Sequence, residues 1–585
     1  MACRSYYNFN QKCKDRCSVS HTLSTKVSQW AAEQVIDSIG EKALEKFNKE
    51  AESFDKIQEL VFLQWVDENK DTIYGKDHSF ESIKTLEEFR KLPLTEYSDY
   101  DKYIELIKQG TGNVLTSPVL QLGQTSGTST GRKNLIPVTS KLKFTFLSSI
   151  PPALSTLYKD LPLSKSFQKS CKIMFEPTWE YTDSGTKVGC NSSVPSDMSD
   201  SVLDTSYSSP SWLLKSKTDN PNDLLYLHGL FAIRDRNLGS IESNFISVIH
   251  NFCDVIEKNW KEYAEMIESG VVPPLVDSVL EKGRFNQFLE RDPERAQEIR
   301  NVMSQYKPGE QSLLKVLFPN LNVVIATDTG DFEFYGKQFK EKFISRDDVP
   351  IYSPFYAATE GLMGVNYNVF EKKYVLLPRA MFFEFLPVSQ SDSTNHKTLL
   401  ANQLESGAEY ELVITNWSGL YRYRLGDVVK FHGYKGQAPI IQVMYRRGMF
   451  LNKVGERTNE KSFQLALENA SKAWNTKVLD YTVSDIDSSD QYVVYVEVED
   501  PQVKLDKNKL ESELCSMNPI YADVVRTGRM KRADIKVVRP GTFLKMRDLM
   551  ISLGAHPAQL KIPRVLRRRE LQDLLNSNIV TNNDK

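Results

Sequence analysis

The sequence predicts an α/β protein. A large N-terminal domain of β-sheets flanked by helices with a barrel-like portion precedes a small α+β C-terminal domain. Three observations predict it. Strands alternate with helices in the middle third, where LNVVIAT (321–327) and VPIYSPFY (349–356) bracket a helical run, as in a parallel sheet. A strand-only succession follows (MFFEFLP, YELVITN, YRYRL, VVKFHG, APIIQVMY), which predicts an antiparallel sheet or barrel beside it. Beyond Tyr445 a charged stretch gives way to helix, strand, helix, strand, helix.

In chain order, residues 1–25 (with Cys3, Cys13, Cys17 and His21) read as a flexible terminus, the ligand spacing being too loose for paired zinc ligands. Residues 26–445 form the large domain. Its first part is helical: in IQELVFLQWVDEN, apolar residues from Ile57 to Val66 make one broad buried face. Val114 to Leu122 reads as a strand entering a loop. The Ser, Thr, Asn, Asp and Pro of 182–222 predict a long surface excursion. From Leu224 to Tyr263 the apolar spacing is helical again. Residues 446–456 suit a hinge, 457–575 the small domain and 576–585 a disordered tail.

With 585 residues, the chain needs two or three domains. Lys and Arg total 74 against 76 Asp and Glu, a net charge of -2 that supplies no field for nucleic acid or an anionic membrane. The basic run from Lys561 to Arg569 is local. No apolar run is long enough to cross a bilayer, and MACRSYYNFNQKCKDRC lacks the apolar core of a signal peptide. Seven scattered cysteines do not resemble a disulfide framework, so the expected setting is a reducing cytoplasm and the default state a monomer.

Gln124 to Lys133, QTSGTSTGRK, concentrates glycines, hydroxyls and cations. Glycines let backbone N–H groups turn toward an anion, and hydroxyls add donors. The residues alone allow a phosphate cradle or a hydroxyl-rich turn. A Walker A loop is excluded, because three residues rather than four separate Gly127 from Gly131. Gly127-x-Ser129-x-Gly131 also matches a hydrolase elbow, but an elbow opens a helix, and KNLIPVT follows here.

TSGTSTGRK, then FYAATEG (355–361), then YRYRLGDVV (421–429), in that order, resembles the adenylate-forming superfamily. With the C-terminal VVRPGTFLKMRDLMISLGAHPAQLKIPRVL, the chain is similar to the Gretchen Hagen family of acyl acid–amido synthetases over roughly residues 55 to 570. The resemblance implies the adenylate-forming fold and an ATP- and Mg²⁺-dependent ligase. Such an enzyme activates a small carboxylic acid as its acyl-adenylate and couples it to an amino acid. The alternatives are an acid–thiol ligase forming a coenzyme A thioester, and a non-catalytic binding protein of the same fold.

The resemblance also implies residue roles. Ser126, Gly127, Thr128 and Ser129 would hold the departing phosphates. Lys133 would add charge one position before the family's usual lysine, where this chain has Asn134. Tyr356, with Ala357 and Ala358, would carry adenine, Thr359 would bond the α-phosphate or acyl carboxylate, and Glu360 would bind Mg²⁺. Asp427 would accept from the ribose hydroxyls. Lys561 would reach the α-phosphate, and Arg446 or Arg447 would mark the hinge. The amino acid would meet Tyr181, Thr182 and Ser184. From the apolar pattern and not the resemblance, Leu230 and Phe231 read as core residues or as lining for the acid's pocket.

Overall fold

The structure, a computed structural model, describes all residues except 1, 126–132, 177–178, 191–197, 217–220, 272–288, 345–347, 391–395, 448–449, 485, 487–489, 558–559 and 581–585. The chain divides into two compact units. The first comprises Met1–Gln124, Leu135–Arg424 and Lys430–Gln442, the second Thr125–Asn134, Leu425–Val429 and Val443–Lys585.

The N-terminal residues are ordered by packing. Helix α1 (Ala2–Lys12) carries Tyr6 and Phe9 onto Phe167, and Cys13 is buried. Arg16 then clamps Asn320 and Asn322. Helix α2 (Leu23–Ala51) starts in a capping box of Thr22 and Thr25, followed by α3 (Phe54–Asn69), whose buried face is Ile57, Val61, Trp65 and Val66. Strands β1 (Gln121–Gln124) and β2 (Leu135–Val138) form an antiparallel hairpin. Thr139 caps α4 (Ser140–Asp160), which contains Pro151 and Pro152. Gly40 of α2 crosses here. A Cβ on it would lie 2.8 Å from the Pro151 carbonyl, so no side chain fits.

Strand β3 (Ser170–Lys172) precedes the small hairpin β4 (Glu180–Tyr181) and β5 (Lys187–Gly189). The predicted excursion 182–222 is a correction. It contains β5 and helices α5 (Asp200–Ser206) and α6 (Ser211–Leu214), whose Leu203, Leu213 and Leu214 are buried. Serines dominate its composition, but three buried leucines on these two short helices fasten it. Helix α7 (Pro221–Arg234), β6 (Ser240–Phe245) and α8 (Ile246–Ser269) follow. Strands β7 (Val323–Thr327) and β8 (Ile351–Tyr352) complete a parallel sheet of order β3-β6-β7-β8, onto which α4 packs Leu157 against Val323 and Tyr352.

The expected single strand 349–356 is two. Ser353 and Pro354 separate β8 from β9 (Phe355–Ala358), which pairs with β10 (Gly361–Val365) in another sheet. That sheet adds β11 (Tyr374–Leu376), β12 (Phe382–Pro387), β13 (Glu409–Thr415), β14 (Tyr423–Lys435) and β15 (Ala438–Arg446), in the order β12-β13-β14-β15-β11-β10-β9. YRYRL and VVKFHG, expected as two strands around a Gly426-Asp427 turn, are one 13-residue strand. Gly426 takes φ 85° within it, so glycine marks a local irregularity and not a reversal.

The second unit contains the short pair β16 (Phe450–Leu451) and β17 (Thr458–Asn459) and the helix α9 (Glu460–Trp474). Its sheet holds β18 (Val478–Ser484), β19 (Val493–Val498), β20 (Asp534–Val537) and β21 (Val565–Leu566), in the order β20-β19-β18-β21. Helices α10 (Lys507–Met517), α11 (Thr542–Ser552) and α12 (Arg569–Ser577) complete the predicted α+β alternation. Its core joins Tyr495, Phe543, Met546, Ile562, Leu566 and Leu571.

Candidate active site

In the first unit, Tyr356–Gly361 is a β-hairpin on the edge of the seven-stranded sheet. Ala358 pairs with Gly361, which leaves Thr359 and Glu360 at the tip. VPIYSPFY, expected as a strand of the parallel sheet, would set this motif at that strand's carboxyl end. The structure starts it two residues beyond that strand, because Ser353-Pro354 carries the chain out of β8 and into a different sheet. Gly361 has φ 142°, and a Cβ there would come within 3.0 Å of Leu142 and Met381.

Glu360 is buried, 3% exposed, whereas Thr359 is half-buried and Ala357 exposed. The tip is held from the next loop: Asn416 Nδ2 donates to the Glu360 carbonyl at 2.7 Å. The same side chain accepts from Ser418 N at 3.0 Å and Leu420 N at 3.3 Å. Gly419, at φ 78°, closes that loop where a Cβ would sit 2.7 Å from the Leu115 backbone oxygen.

Tyr356 is buried, its ring 5.8 Å from Tyr374. The Tyr374 hydroxyl meets Ser353 Oγ at 2.7 Å and Thr329 Oγ1 at 3.2 Å, and burial pushes it up to about 12. Asp328, just past the end of β7, is fully buried; burial raises its carboxyl, although Lys372 Nζ lies 2.6 Å away. Asp328, Thr329, Ser353, Tyr374 and Asn416 were missed from the sequence. ATDTG (326–330), a strand ending on polar residues, is the one signal for the first two.

The YRYR segment serves the fold. Arg422 donates to both oxygens of buried Glu384 at 3.0 and 2.8 Å, and also to the Arg90 carbonyl. Arg424 pairs with buried Glu411 at 2.9 and 2.6 Å. Tyr421 packs on Tyr74 and Phe80.

In the second unit, Thr125 and Asn134 close the base of the predicted phosphate loop: Thr125 N donates to the Asn134 carbonyl, and Asn134 N to Thr125 Oγ1, both at 2.9 Å. Ser126, Gly127, Thr128 and Ser129 lie outside the described residues. Strand β2, not a helix, follows the loop, which removes the hydrolase-elbow geometry. Lys133 Nζ donates to the Gly554 carbonyl at 2.8 Å, beside His556, which burial and Lys133 push down to about 4. Asp427 lies 3.7 Å from Arg446, which also donates to the Leu425 carbonyl at 3.1 Å.

Lys561 is half-buried and precedes a tightly held segment. Thr482 Oγ1 bonds the Pro563 carbonyl at 2.6 Å, and Arg564 Nη1 pairs with Asp480 at 2.5 Å.

Among the described residues no three His, Cys, Asp or Glu side chains group as a metal site. The one buried carboxylate at the hairpin tip, Glu360, offers hard oxygen donors. Mg²⁺ held mainly by water and substrate phosphate needs no more from the protein, so this donor set fits that ion.

Three family models match in chain order: the GH3 family N-terminal domain over residues 43–349, its central domain over 374–446 and its C-terminal domain over 461–570. The chain belongs to the GH3 family. Among GH3 relatives, the jasmonoyl--L-amino acid synthetase JAR4 of Nicotiana attenuata is 27% identical, covering 92% of this chain and 96% of its own. The indole-3-acetic acid-amido synthetase GH3.4 of Arabidopsis thaliana is 28% identical, at 92% and 94% coverage. A solved GH3 structure, the AtGH3.15 acyl acid amido synthetase in complex with 2,4-DB, shares the fold with a TM-score of 0.80 at 24% identity, over 93% of this chain and 96% of that one.

The remaining predicted residues lie elsewhere in this GH3 chain. Tyr181 is exposed on the β4–β5 hairpin, whose turn is closed by Thr182 Oγ1 and Ser184 Oγ at 2.9 Å. Leu230 and Phe231 are buried in α7, with Phe231 edge-on to Trp212 at 6.1 Å. Among the described residues, no helix is long and apolar enough to cross a membrane.

Proposed function

We propose that this GH3 chain is an ATP-dependent acyl acid–amido synthetase that couples a small carboxylic acid to an amino acid in the cytoplasm. In the first half-reaction a carboxylate oxygen of the acid attacks the α-phosphorus of ATP. The bond to the β-phosphate oxygen breaks and pyrophosphate leaves. In the second, the amine nitrogen attacks the acyl carbon, the bond to AMP breaks, and the nitrogen loses a proton. Both steps require alignment and charge neutralisation more than covalent help from side chains.

The observation that carries this reading is the hairpin tip, where Asn416 fixes the backbone at buried Glu360 and leaves Thr359 beside it. On this reading Thr359 bonds the reacting carboxylate or α-phosphate, and Glu360 holds Mg²⁺, which supplies charge neutralisation at the phosphates. Tyr356 bears the adenine, Asp427 accepts from the ribose diol, and Lys561 stabilises charge developing on the α-phosphate. Ser126, Gly127, Thr128 and Ser129 receive the departing phosphates, with Lys133 nearby.

Acid-dependent exchange of labelled pyrophosphate into ATP, run over a panel of carboxylic acids, tests the first half-reaction. Exchange with at least one acid is expected; its absence throughout, with no ATP binding by calorimetry, sinks the enzyme reading. Adding amino acids or coenzyme A and weighing the product selects amide over thioester. E360A should abolish exchange while leaving the melting temperature nearly unchanged, and retained exchange would refute the Mg²⁺ role.

A further inference from the structure

Strand β9, which carries Tyr356, is the edge strand of the seven-stranded sheet. An edge strand is hydrogen-bonded on one side only, so a side chain on it needs support from elsewhere to keep one position. Tyr374, the first residue of β11, supplies that support. Gly364 of β10 lies opposite Tyr356 on one side and Leu376 on the other, so Tyr356 and Tyr374 project from the same face of the sheet. A Cβ on Gly364 would come within 3.1 Å of the Tyr374 Cβ and 3.0 Å of the Val375 carbonyl oxygen. Its absence lets the two rings meet across the intervening strand, with centroids 5.8 Å apart.

Tyr374 is fully buried, and its hydroxyl is used twice. It meets Ser353 Oγ at 2.7 Å and Thr329 Oγ1 at 3.2 Å. Ser353 is 1% exposed and lies three residues before Tyr356, in the link from β8 to β9. Thr329 belongs to the segment leaving β7. Two residues before Tyr374, Lys372 Nζ pairs with Asp328 at 2.6 Å, so the entry to β11 holds two consecutive residues of that segment. Strands β7 and β8 are neighbours in the parallel sheet, and open sheets bind ligands at the carboxyl ends of such strands. One hydroxyl therefore ties both carboxyl ends to the ring that contacts Tyr356.

We propose that Tyr374 is a positioning residue for ATP: through Ser353 and through direct ring contact, it holds Tyr356 in the position that receives adenine. The inference rests on the adenine role proposed for Tyr356. Tyr374 is itself buried, so it acts through Tyr356, by removing that ring's alternative positions before ATP arrives. Its loss should therefore show in the use of ATP and not in the use of the acid.

Acid-dependent pyrophosphate exchange by the full chain tests this, with an acid that the wild type accepts. Y374F keeps the ring and removes the hydroxyl from both partners. Its KM for ATP should rise about tenfold, the scale of two lost hydrogen bonds, while its KM for the acid stays within about twofold of wild type. S353A removes one partner and should raise the KM for ATP about threefold. In a Y356A background, Y374F should add less than about twofold, because the residue through which it acts is gone. A role in folding alone would lower the melting temperature and move both KM values together or neither. Y374F with a wild-type KM for ATP overturns the proposal, as do equal rises for ATP and acid, or an undiminished effect in the Y356A background. If Y374F unfolds below the assay temperature, S353A decides: a rise confined to ATP supports the role, and an unchanged KM overturns it. A wild type that exchanges with no acid sinks the adenylation reading and this proposal with it. A wild type that exchanges beside an unaltered Y374F sinks only the role of Tyr374.

Discussion

Two stretches of the same sequence motif are used in opposite ways. Tyr421 to Arg424 is consumed by the fold: Arg422 and Arg424 each reach a buried glutamate with two hydrogen bonds, and Tyr421 lies in an aromatic cluster. Three residues on, Asp427 faces Arg446 at 3.7 Å with a side chain 15% exposed. The two arginines are held in bidentate forks on buried carboxylates, whereas the Asp427 carboxylate makes a longer ion pair with a half-exposed arginine. Membership of one motif therefore does not fix one role: its arginines serve the fold, and the ribose role proposed for Asp427 is a separate matter of binding.

The comparison breaks first at Arg422. R422A leaves Glu384 buried without its fork, which should cost about 3–5 kcal/mol in urea denaturation. R422K should recover little of it, because an ammonium cannot match the bidentate geometry. If R422A keeps wild-type stability but loses ATP binding, the division is wrong. Asp427 should behave the other way. D427N should lower pyrophosphate exchange by about 10- to 100-fold, the worth of one or two charge-assisted hydrogen bonds, while stability stays within about 0.5 kcal/mol.

A third carboxylate sharpens the boundary from the scaffold side. Burial pushes Glu33 up to about 7 from its usual 4.5; Lys165 and the Gln29 amide oppose the shift, and Asp37 adds to it. Its folded pKa is raised, so the folded chain holds more protons than the unfolded chain between those values. Stability should therefore fall as pH rises from 4.5 to 7. E33Q should equal wild type near pH 5 and exceed it by about 1–3 kcal/mol near pH 8, as read by denaturation at each pH. A constant difference would remove Glu33 from the account. The smallest effect is expected at Lys133, which already donates to the Gly554 carbonyl. K133A should change the KM for ATP by less than about threefold, the scale of one exposed charge contact. A larger rise would return this lysine to the phosphates.

The sequence was most legible where chemistry and periodicity coincide. The buried face of α3 and the helix–strand alternation of the second unit fall where the apolar spacing puts them. It was least legible where one residue redirects the chain. Gly426 reads as a turn because glycine usually ends strands, yet here it sits inside β14. Ser353-Pro354 moves the adenylation motif from one sheet to another, and no periodicity announces such a switch. Asn416 in NWSG reads as a turn residue, and its second bond, to a carbonyl 56 positions away, has no local signature.

That bond defines a closed cassette. Asn416 ties its own loop to the hairpin tip, so strands β10 to β13 leave from and return to one fastened point. Their intervening turns can be shortened, lengthened or exchanged with those of a relative while the Thr359-Glu360 tip keeps its backbone anchor. A library can vary the turns of that cassette, provided that Asn416 and the partners of the scaffold, Glu384, Glu411, Lys372 and Tyr374, stay.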